Sequence, residues 1–127
     1  MFEQFDTNVI LENIHFLVEG MQLTLLLTLA AICGGLVLGT LLALARLSDF
    51  RILSFISSTY VNFFRSMPLI LVIFWFYFLV PLILGQPVGG YYSVLIAFIL
   101  FEAAYYCEII RAGIQSVRKG QIYAGQA

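Results

Sequence analysis

The sequence is poor in charged residues, and those it has are unevenly placed. Charged side chains make up 10% of the 127 residues, whereas hydrophobic side chains make up 62% and the mean hydropathy is +1.02. Soluble globular domains carry about 25% charged residues, so this composition excludes that class and predicts a membrane protein. All six basic residues lie at or beyond Arg46. They are too scattered to form the clustered basic footprint that nucleic-acid binding requires, so nucleic acid is not expected as a partner.

Several chemical motifs are also absent from the sequence. The N-terminus lacks the basic stretch that begins a signal peptide, and its apolar run is too long for one, so no cleavage is expected. The two cysteines, Cys33 and Cys107, lie within apolar runs and lack metal-ligand spacing. There is no phosphate-binding glycine loop and no nucleophile beside a base. The chain is therefore not predicted to be an enzyme, and neither a cofactor nor a metal is expected on it.

Three apolar stretches predict three membrane-spanning helices. Residues 21–45 contain no charge and are long enough to cross a hydrocarbon core of about 30 Å. Residues 68–84 and 91–111 predict the second and third spans, separated by a turn rich in glycine and proline at residues 85–90. The predicted fold class is an all-α membrane protein with a single domain.

The segment before the first span is amphipathic. Residues 8–19 place apolar side chains on one helical face and polar side chains on the other, which predicts a helix on the outer membrane surface. Gly20 is then expected to turn the chain into the bilayer. With the N-terminus outside and the C-terminus in the cytoplasm, all six basic residues fall on or near the cytoplasmic side, as the positive-inside rule requires.

Small residues form a ridge along the first predicted span. They recur at intervals of three or four positions, at Thr24, Thr28, Ala31, Gly35, Gly39 and Ala43. Such a ridge lets another helix approach closely, and we expect packing within a bundle rather than self-dimerisation.

The second span cannot be one straight helix with the segment before it. A helix over residues 51–84 would be about 51 Å long, which exceeds the hydrocarbon core. We therefore expect the first part to lie at the membrane interface and Pro68 to start or kink the spanning part.

Three charged residues lie in or beside the third predicted span. Glu102 falls about 16 Å along the helix from Tyr91, near mid-membrane, where a carboxylate costs about 2.5 to 3.5 kcal/mol. It either faces a polar pathway, where it could meet the ammonium group of an amino acid, or is a hydrogen-bonded structural acid within the bundle. Glu108 and Arg111 are spaced i, i+3 and are predicted to form a structural pair.

The end of the sequence carries an ordered signature. Its residues are Glu102, Ala103, Ala104, Tyr105, Glu108, Ile109, Arg111, Gly113, Ile114, Ser116, Val117, Gly120 and Gln121. At these positions the chain closely resembles the permease subunits of bacterial polar amino-acid ABC importers, most of all the glutamate/aspartate type. Residues 65–69 also resemble the Arg-Gly-Thr-Pro-Leu entry to the second main span of that family.

The resemblance implies a fold and a set of partners. Residues 1–127 would form the N-terminal part of a type I ABC importer transmembrane domain: an outer amphipathic helix, three spans, and the start of the coupling helix at residues 118–127. Gly120 is expected to end the third helix and let the coupling segment leave at an angle. The coupling positions that this implies are Gly120, Gln121, Tyr123, Ala124, Gly125 and Ala127.

The implied partners are a cytoplasmic ABC ATPase subunit that hydrolyses the ATP, a second permease subunit and a periplasmic or extracellular solute-binding protein. The implied location is the lipid bilayer of the bacterial inner (plasma) membrane. Because the family pattern continues past residue 127, the resemblance also implies a C-terminally truncated chain that does not transport by itself.

Two other functions remain open at this point. One is a small proton-coupled multidrug exporter, although such proteins carry their membrane acid in the first span and not in the third. The other is a small membrane protein that regulates a larger complex without transporting anything. Association with an ATPase would distinguish the permease from both.

Overall fold

The structure is a computed structural model that describes residues 7–127, and this part of the chain is helical apart from short connections. The predicted domain also includes residues 1–6, which lie outside the described residues. In chain order the elements are α1 (Thr7–Glu12), α2 (Ile14–Leu47), α3 (Arg51–Arg65), α4 (Leu69–Phe74), a π-helical segment (Trp75–Leu79), α5 (Val80–Leu84), α6 (Gly90–Ser116) and α7 (Lys119–Gln126). The all-α prediction is confirmed.

Two of these helices are each long and apolar enough to cross a membrane. They are α2, with 34 residues, and α6, with 27 residues, and the pair formed by α3 and residues 69–84 would add a third candidate if it counts as one bent span. At 1.5 Å per residue, α2 is about 51 Å long, so it extends about 20 Å beyond a hydrocarbon core of about 30 Å. The exact limits of the three spans stay predictions.

The most extensive helix contact is that of α2 on α6, and buried side chains of α3 and α4 also pack against α6. The buried residues of α2 are Ala31, Gly35, Gly39 and Ala43. A Cβ atom added at Gly39 would lie 2.7 Å from the Cβ of Tyr106 and 3.0 Å from the carbonyl oxygen of Ala103, so α6 approaches α2 closer than any larger residue would allow. The prediction that the small-residue ridge packs within a bundle is confirmed.

Three hydroxyl groups of α3 donate hydrogen bonds to carbonyl groups of the two long helices. The Ser54 hydroxyl donates to the carbonyl of Arg46 (3.0 Å), and the Ser57 hydroxyl to that of Leu42 (2.7 Å). The hydroxyl of Tyr60 donates to a carbonyl in the middle of α6, that of Leu100 (2.7 Å). The Arg46 carbonyl lies in the last turn of α2, where it lacks a partner within the helix. Together the three bonds hold α3 across the C-terminal end of α2 and against α6.

The chain bends where the sequence predicts a break. The axes of α3 and of residues 69–84 differ by 104°, and Pro68 between them is extended (φ −71°, ψ 144°). The π-helical segment that follows was not predicted. Pro81 offers a physical reason, because it has no N–H to donate to Tyr77 and its ring would clash with that carbonyl in a regular α-helix. Widening the preceding turn removes the clash.

The prediction that Gly20 turns the chain into the bilayer is wrong. Gly20 lies inside α2, which continues without interruption, and the break falls instead at Asn13, between α1 and α2. The side-chain amide of Asn13 donates to the carbonyl of Val9 (2.8 Å), a local bond that competes with helix continuation. Gly20 remains helical, and its carbonyl accepts a hydrogen bond from the Thr24 hydroxyl (2.8 Å).

The prediction that Gly120 ends the third helix is also wrong. The helix ends at Ser116, the next two residues, Val117 and Arg118, are extended, and Gly120 lies within α7. In the last turn of α6 the Ser116 hydroxyl donates a hydrogen bond to the carbonyl of Gly113 (2.7 Å), which would otherwise lack a partner at the helix end. A separate helix does follow the break, as expected, but the third helix ends four residues before Gly120.

Candidate functional site

A charged cluster joins the ends of three helices around one carboxylate, Glu108 of α6. Arg46, near the end of α2, places its Nη1 2.6 Å from Glu108 Oε2. Arg111, one turn further along α6, donates to Oε1 through both Nε and Nη2. Arg65, at the end of α3, lies with its Nη1 3.8 Å from Oε2. We call these four residues the Glu108 cluster.

The three arginines are held to different degrees. All three guanidinium nitrogens of Arg111 donate hydrogen bonds: Nε and Nη2 to Glu108, and Nη1 to the side-chain oxygen of Gln115 (2.7 Å). The side chains of Arg46 and Arg111 are 19% and 25% exposed, whereas that of Arg65 is 42% exposed. Arg65 also lies 5.5 Å from the ring centroid of Tyr105, within cation–π range. It is therefore the member of the cluster with the loosest contact to Glu108.

The i, i+3 spacing of Glu108 and Arg111 predicted one contact of this cluster. The i, i+3 contact between Glu108 and Arg111 forms, while its role as a structural pair stays a prediction. The contacts of Arg46 and Arg65 were missed. Arg46 and Arg65 each lie in the last turn of a helix, and basic residues at helix ends favour the cytoplasmic membrane face. Their position at helix ends could have predicted that the two arginines lie at the same membrane face. It could not have identified Glu108 as the residue that both contact.

Glu102 lies near the middle of α6 and lines a cavity between α6 and α2. The cavity has a volume of about 220 Å³, and the residues around it are Thr28, Ala31, Ile32, Phe98, Glu102 and Tyr106. The Cβ atom of Glu102 lies 3.1 Å from the position that a Cβ on Gly35 would occupy, so its backbone sits directly against the small-residue ridge. The cavity is mostly apolar, and Glu102 is the ionisable acid in its wall.

The predicted coupling positions lie together on α7. Gly120, Gln121, Tyr123, Ala124 and Gly125 belong to this helix, and Ala127 follows its last residue. Every one of them is exposed, and α7 packs against no other helix in the described part of the chain. An eight-residue helix is too short to be stable alone in water, so α7 is expected to need a surface to pack on.

Comparison with known proteins decides the family. A profile described as "Binding-protein-dependent transport system inner membrane component" matches residues 35–127. The chain belongs to this family. Membership confirms the resemblance seen in the sequence and decides against the small multidrug exporter. Permease subunits of this kind are membrane components without catalytic activity, and ATP is hydrolysed by a separate ATPase.

Individual relatives agree with this assignment. The chain is 43% identical over 98% of its length to the glutamate/aspartate import permease protein GltK of Escherichia coli O157:H7. It is 35% identical over 96% of its length to the probable glutamine ABC transporter permease protein GlnM of Bacillus subtilis strain 168. It covers 58% and 56% of these two relatives.

A solved structure is also similar. The crystal structure of an amino acid ABC transporter with histidines matches with a TM-score of 0.89 and 28% identity, over 97% of this chain and 57% of that one. The chain thus spans little more than half the length of the proteins that it matches.

Proposed function

We propose that this chain is part of the permease subunit of an ATP-driven importer of polar amino acids, with glutamate and aspartate as the favoured substrates. The observation that carries this proposal is the 43% identity, over 98% of the chain, to a glutamate/aspartate import permease. Because the aligned region includes nearly the whole chain, it contains both the helices that would line a pathway and the segment that would contact an ATPase.

The family description supports two of the proposed partners. A binding-protein-dependent system includes a solute-binding protein, and the ABC transporters among the relatives require an ATPase subunit. A second permease subunit is the third proposed partner. It is supported by the many apolar side chains that α2, α4 and α5 leave exposed, such as Leu29, Val37 and Leu82, which lipid or further helices would cover.

The proposed orientation places the N-terminus outside and the C-terminus in the cytoplasm. The Glu108 cluster lies towards the C-terminal end of α6, and α7 follows that end directly. The turn at residues 85–89 lies at the other end of α6, about 40 Å away for a helix of 27 residues. Arginine-rich helix ends favour the cytoplasmic side, which supports this orientation.

We also propose that α7 docks on the ATPase subunit. Its complete exposure and its short length fit a helix that is stabilised by a partner. Gln121 and Tyr123, near its centre, are the positions best placed to test this. The aromatic side chain of Tyr123 is 67% exposed, which fits a residue that a partner protein would cover.

Site-specific crosslinking tests the docking proposal. The chain would be coexpressed with the ATPase subunit of an amino-acid importer, with a photoreactive amino acid placed at Gln121 or, as a matched control, at Gln86 in the opposite turn. We expect an adduct with the ATPase from Gln121 and none from Gln86. Adducts with lipid alone, or equal yields from both glutamines, would contradict the proposal.

Cysteine labelling tests the orientation independently. In a chain from which Cys33 and Cys107 have been removed, an impermeant thiol reagent added outside intact cells should label a cysteine at Glu12 or Gln86. It should leave one at Ser116 unlabelled until the cells are opened. The opposite pattern would reverse the proposed topology without affecting the family assignment.

A further inference from the structure

The Glu108 cluster carries more positive charge than its single carboxylate neutralises. Arg46, Arg65 and Arg111 each contact Glu108, and the described part of the chain places no other acid within ion-pair distance of them. Because arginine stays charged in proteins, the cluster holds three cations and one anion. Such an excess of positive charge at a partly buried place favours an anionic ligand that accepts hydrogen bonds.

The donor groups of two of these arginines are largely unused. A guanidinium group has five N–H groups. Arg46 donates a hydrogen bond through Nη1 alone, and Arg65 donates none to any residue between positions 7 and 127. The Nη1 atoms of both arginines lie beside the same carboxylate oxygen of Glu108, Oε2. Their unused N–H groups are therefore close enough for one ligand with several acceptor oxygens to reach both.

The cluster lies at the depth of lipid headgroups. Glu108 comes 18 residues after Gly90, the start of α6, which places it about 27 Å along the helix axis. When a span that begins at Gly90 crosses a hydrocarbon core of about 30 Å, Glu108 lies near the far edge of that core. The anionic groups found at this edge of a bilayer are the phosphates of its lipids.

The helix α3 runs along the same edge. Its axis makes an angle of 104° with that of residues 69–84, so α3 lies close to the membrane plane when those residues cross the bilayer. One face of α3 is tied to α2 and α6 by side-chain hydrogen bonds, and the other face exposes Ile52, Phe55 and Ile56. An interfacial helix buries such a face where headgroups meet acyl chains. Arg65, the last residue of α3, is thereby held at the level of the headgroups.

Apolar side chains lie beside the unused donors of Arg65. Its guanidinium group packs on the ring of Tyr105, and Ile109, one turn later on the same face of α6, is exposed as well. A ligand that pairs with Arg65 on this side would also lie against these two side chains. A lipid suits both surfaces, because its phosphate accepts hydrogen bonds from the guanidinium groups and its hydrocarbon covers the apolar side chains. A free phosphate ion would leave those side chains in water.

We propose that Arg46 and Arg65 bind the phosphate group of an anionic phospholipid at the membrane face where α2 and α3 end, with Tyr105 and Ile109 against the hydrocarbon of that lipid. Basic pockets between membrane helices bind lipid headgroups in this way. The excess charge of the cluster selects a headgroup with net negative charge, such as that of phosphatidylglycerol, over a zwitterionic headgroup, whose cationic part the arginines repel. The site requires that α6 crosses the membrane, but it does not depend on the substrate of the proposed importer.

Fluorescence quenching measures lipid preference at this place in the full chain. Trp75→Phe removes the single tryptophan, and Ile109→Trp places a new one beside Arg65. The protein would be reconstituted in phosphatidylcholine mixed with either brominated phosphatidylglycerol or brominated phosphatidylcholine, and the quenching gives the relative affinity of the two lipids for the surface at position 109. We expect a preference of about fivefold for phosphatidylglycerol, the factor that one basic residue near a membrane surface contributes.

A second reporter position and three substitutions assign this preference to the arginines. Leu82→Trp, also combined with Trp75→Phe, places the tryptophan on α5 near the opposite membrane face, where no preference is expected. Arg65→Gln should abolish the preference at position 109, whereas Arg65→Lys keeps the charge and should retain most of it. Arg118→Gln is the matched control, because it removes an exposed basic residue beyond the end of α6, and it should leave the preference unchanged. Circular dichroism of each variant would show whether it retains its helices.

Glycerol 1-phosphate distinguishes a lipid from a soluble phosphate. It carries a phosphate on glycerol but has no acyl chains, so at millimolar concentration it should not change the preference. Loss of the preference in its presence would assign the arginines to a soluble ligand and overturn the proposal. Equal quenching by the two brominated lipids at position 109, the same preference at position 82, or a preference that survives Arg65→Gln would overturn it too. None of these results would affect the crosslink from α7 to the ATPase, which tests the proposed function separately.

Discussion

The closeness of α2 and α6 at Gly39 gives a prediction with a calculable magnitude. A Cβ added at Gly39 would lie 2.7 Å from the Cβ of Tyr106, 3.0 Å from the carbonyl oxygen of Ala103 and 3.1 Å from the backbone nitrogen of Cys107. Two of these three atoms are backbone, so no side-chain rotation relieves the contact. The substitution Gly39→Ala must therefore move the two helices apart.

Gly20 provides the matched control for this substitution. It lies in the same helix, and a Cβ added there meets nothing within 4 Å beyond its chain neighbours and the backbone of its own helix. Both Gly→Ala changes gain about 1 kcal/mol of helix propensity, which cancels in the comparison. Overpacking in a well-packed core costs about 1 to 3 kcal/mol, so Gly39→Ala should be less stable than Gly20→Ala by that difference.

The measurement is reversible unfolding by sodium dodecyl sulfate in mixed micelles, followed by fluorescence of the single tryptophan. Gly34→Ala gives an intermediate point. An added Cβ at Gly34 meets mainly the end of the Ile99 side chain (Cδ1 at 2.8 Å), which can rotate away. We expect the stability order Gly20→Ala, Gly34→Ala, Gly39→Ala, from highest to lowest. Equal stability of the first and last variants would refute the close approach of α2 to α6.

Three further perturbations test other contacts. Glu108→Gln removes the charge that three arginines contact. Because the cluster is partly exposed, the substitution should lower the free energy of unfolding by about 2 kcal/mol. The control Arg51→Gln, at the exposed start of α3, should change the free energy of unfolding by less than about 0.5 kcal/mol. Tyr60→Phe removes the bond to the Leu100 carbonyl and should cost about 1 kcal/mol in the same assay. Pro81→Ala restores a backbone N–H and should convert the π-helical segment to α-helix. This change would rotate the side chains before it by up to about 100° about the helix axis. Quenching of the single tryptophan by brominated lipid should then change.

Sequence patterns predicted the elements of this fold better than their ends. The small-residue ridge and the bend at Pro68 were predictable because each depends on local properties: residue size at helical spacing, and a proline that cannot continue a helix. The turns expected at Gly20 and Gly120 were wrong because glycine permits a break without requiring one. In both places hydrogen bonds from neighbouring side chains, those of Asn13 and Ser116, accompany the break that does form.

The candidate site was predictable only in part, because its contacts join residues that are distant in the sequence. The i, i+3 spacing revealed Glu108 with Arg111, but Arg46 is 62 positions from Glu108 along the chain, and no periodicity connects them. For Glu102, depth in the membrane could be calculated from the sequence. The cavity beside it could not, because it depends on how α2 packs against α6.

The candidate pathway residue Glu102 and the Glu108 cluster lie on one helix, and the proposed coupling helix follows it. Glu102 is near the middle of α6, Glu108 lies six residues further on, and α7 begins two extended residues after α6 ends. The break between α7 and α6 is two extended residues long, so a displacement of α7 would pass to α6 through those residues and not through a continuous helix. If α7 docks on an ATPase as proposed, α6 is the helix that such a displacement reaches first. The cluster at Glu108 carries the same movement to the ends of α2 and α3. Arg65 makes the longest contact to Glu108 and is the most exposed arginine of the cluster, but the hydrogen bond from Tyr60 to the Leu100 carbonyl also holds α3 to α6.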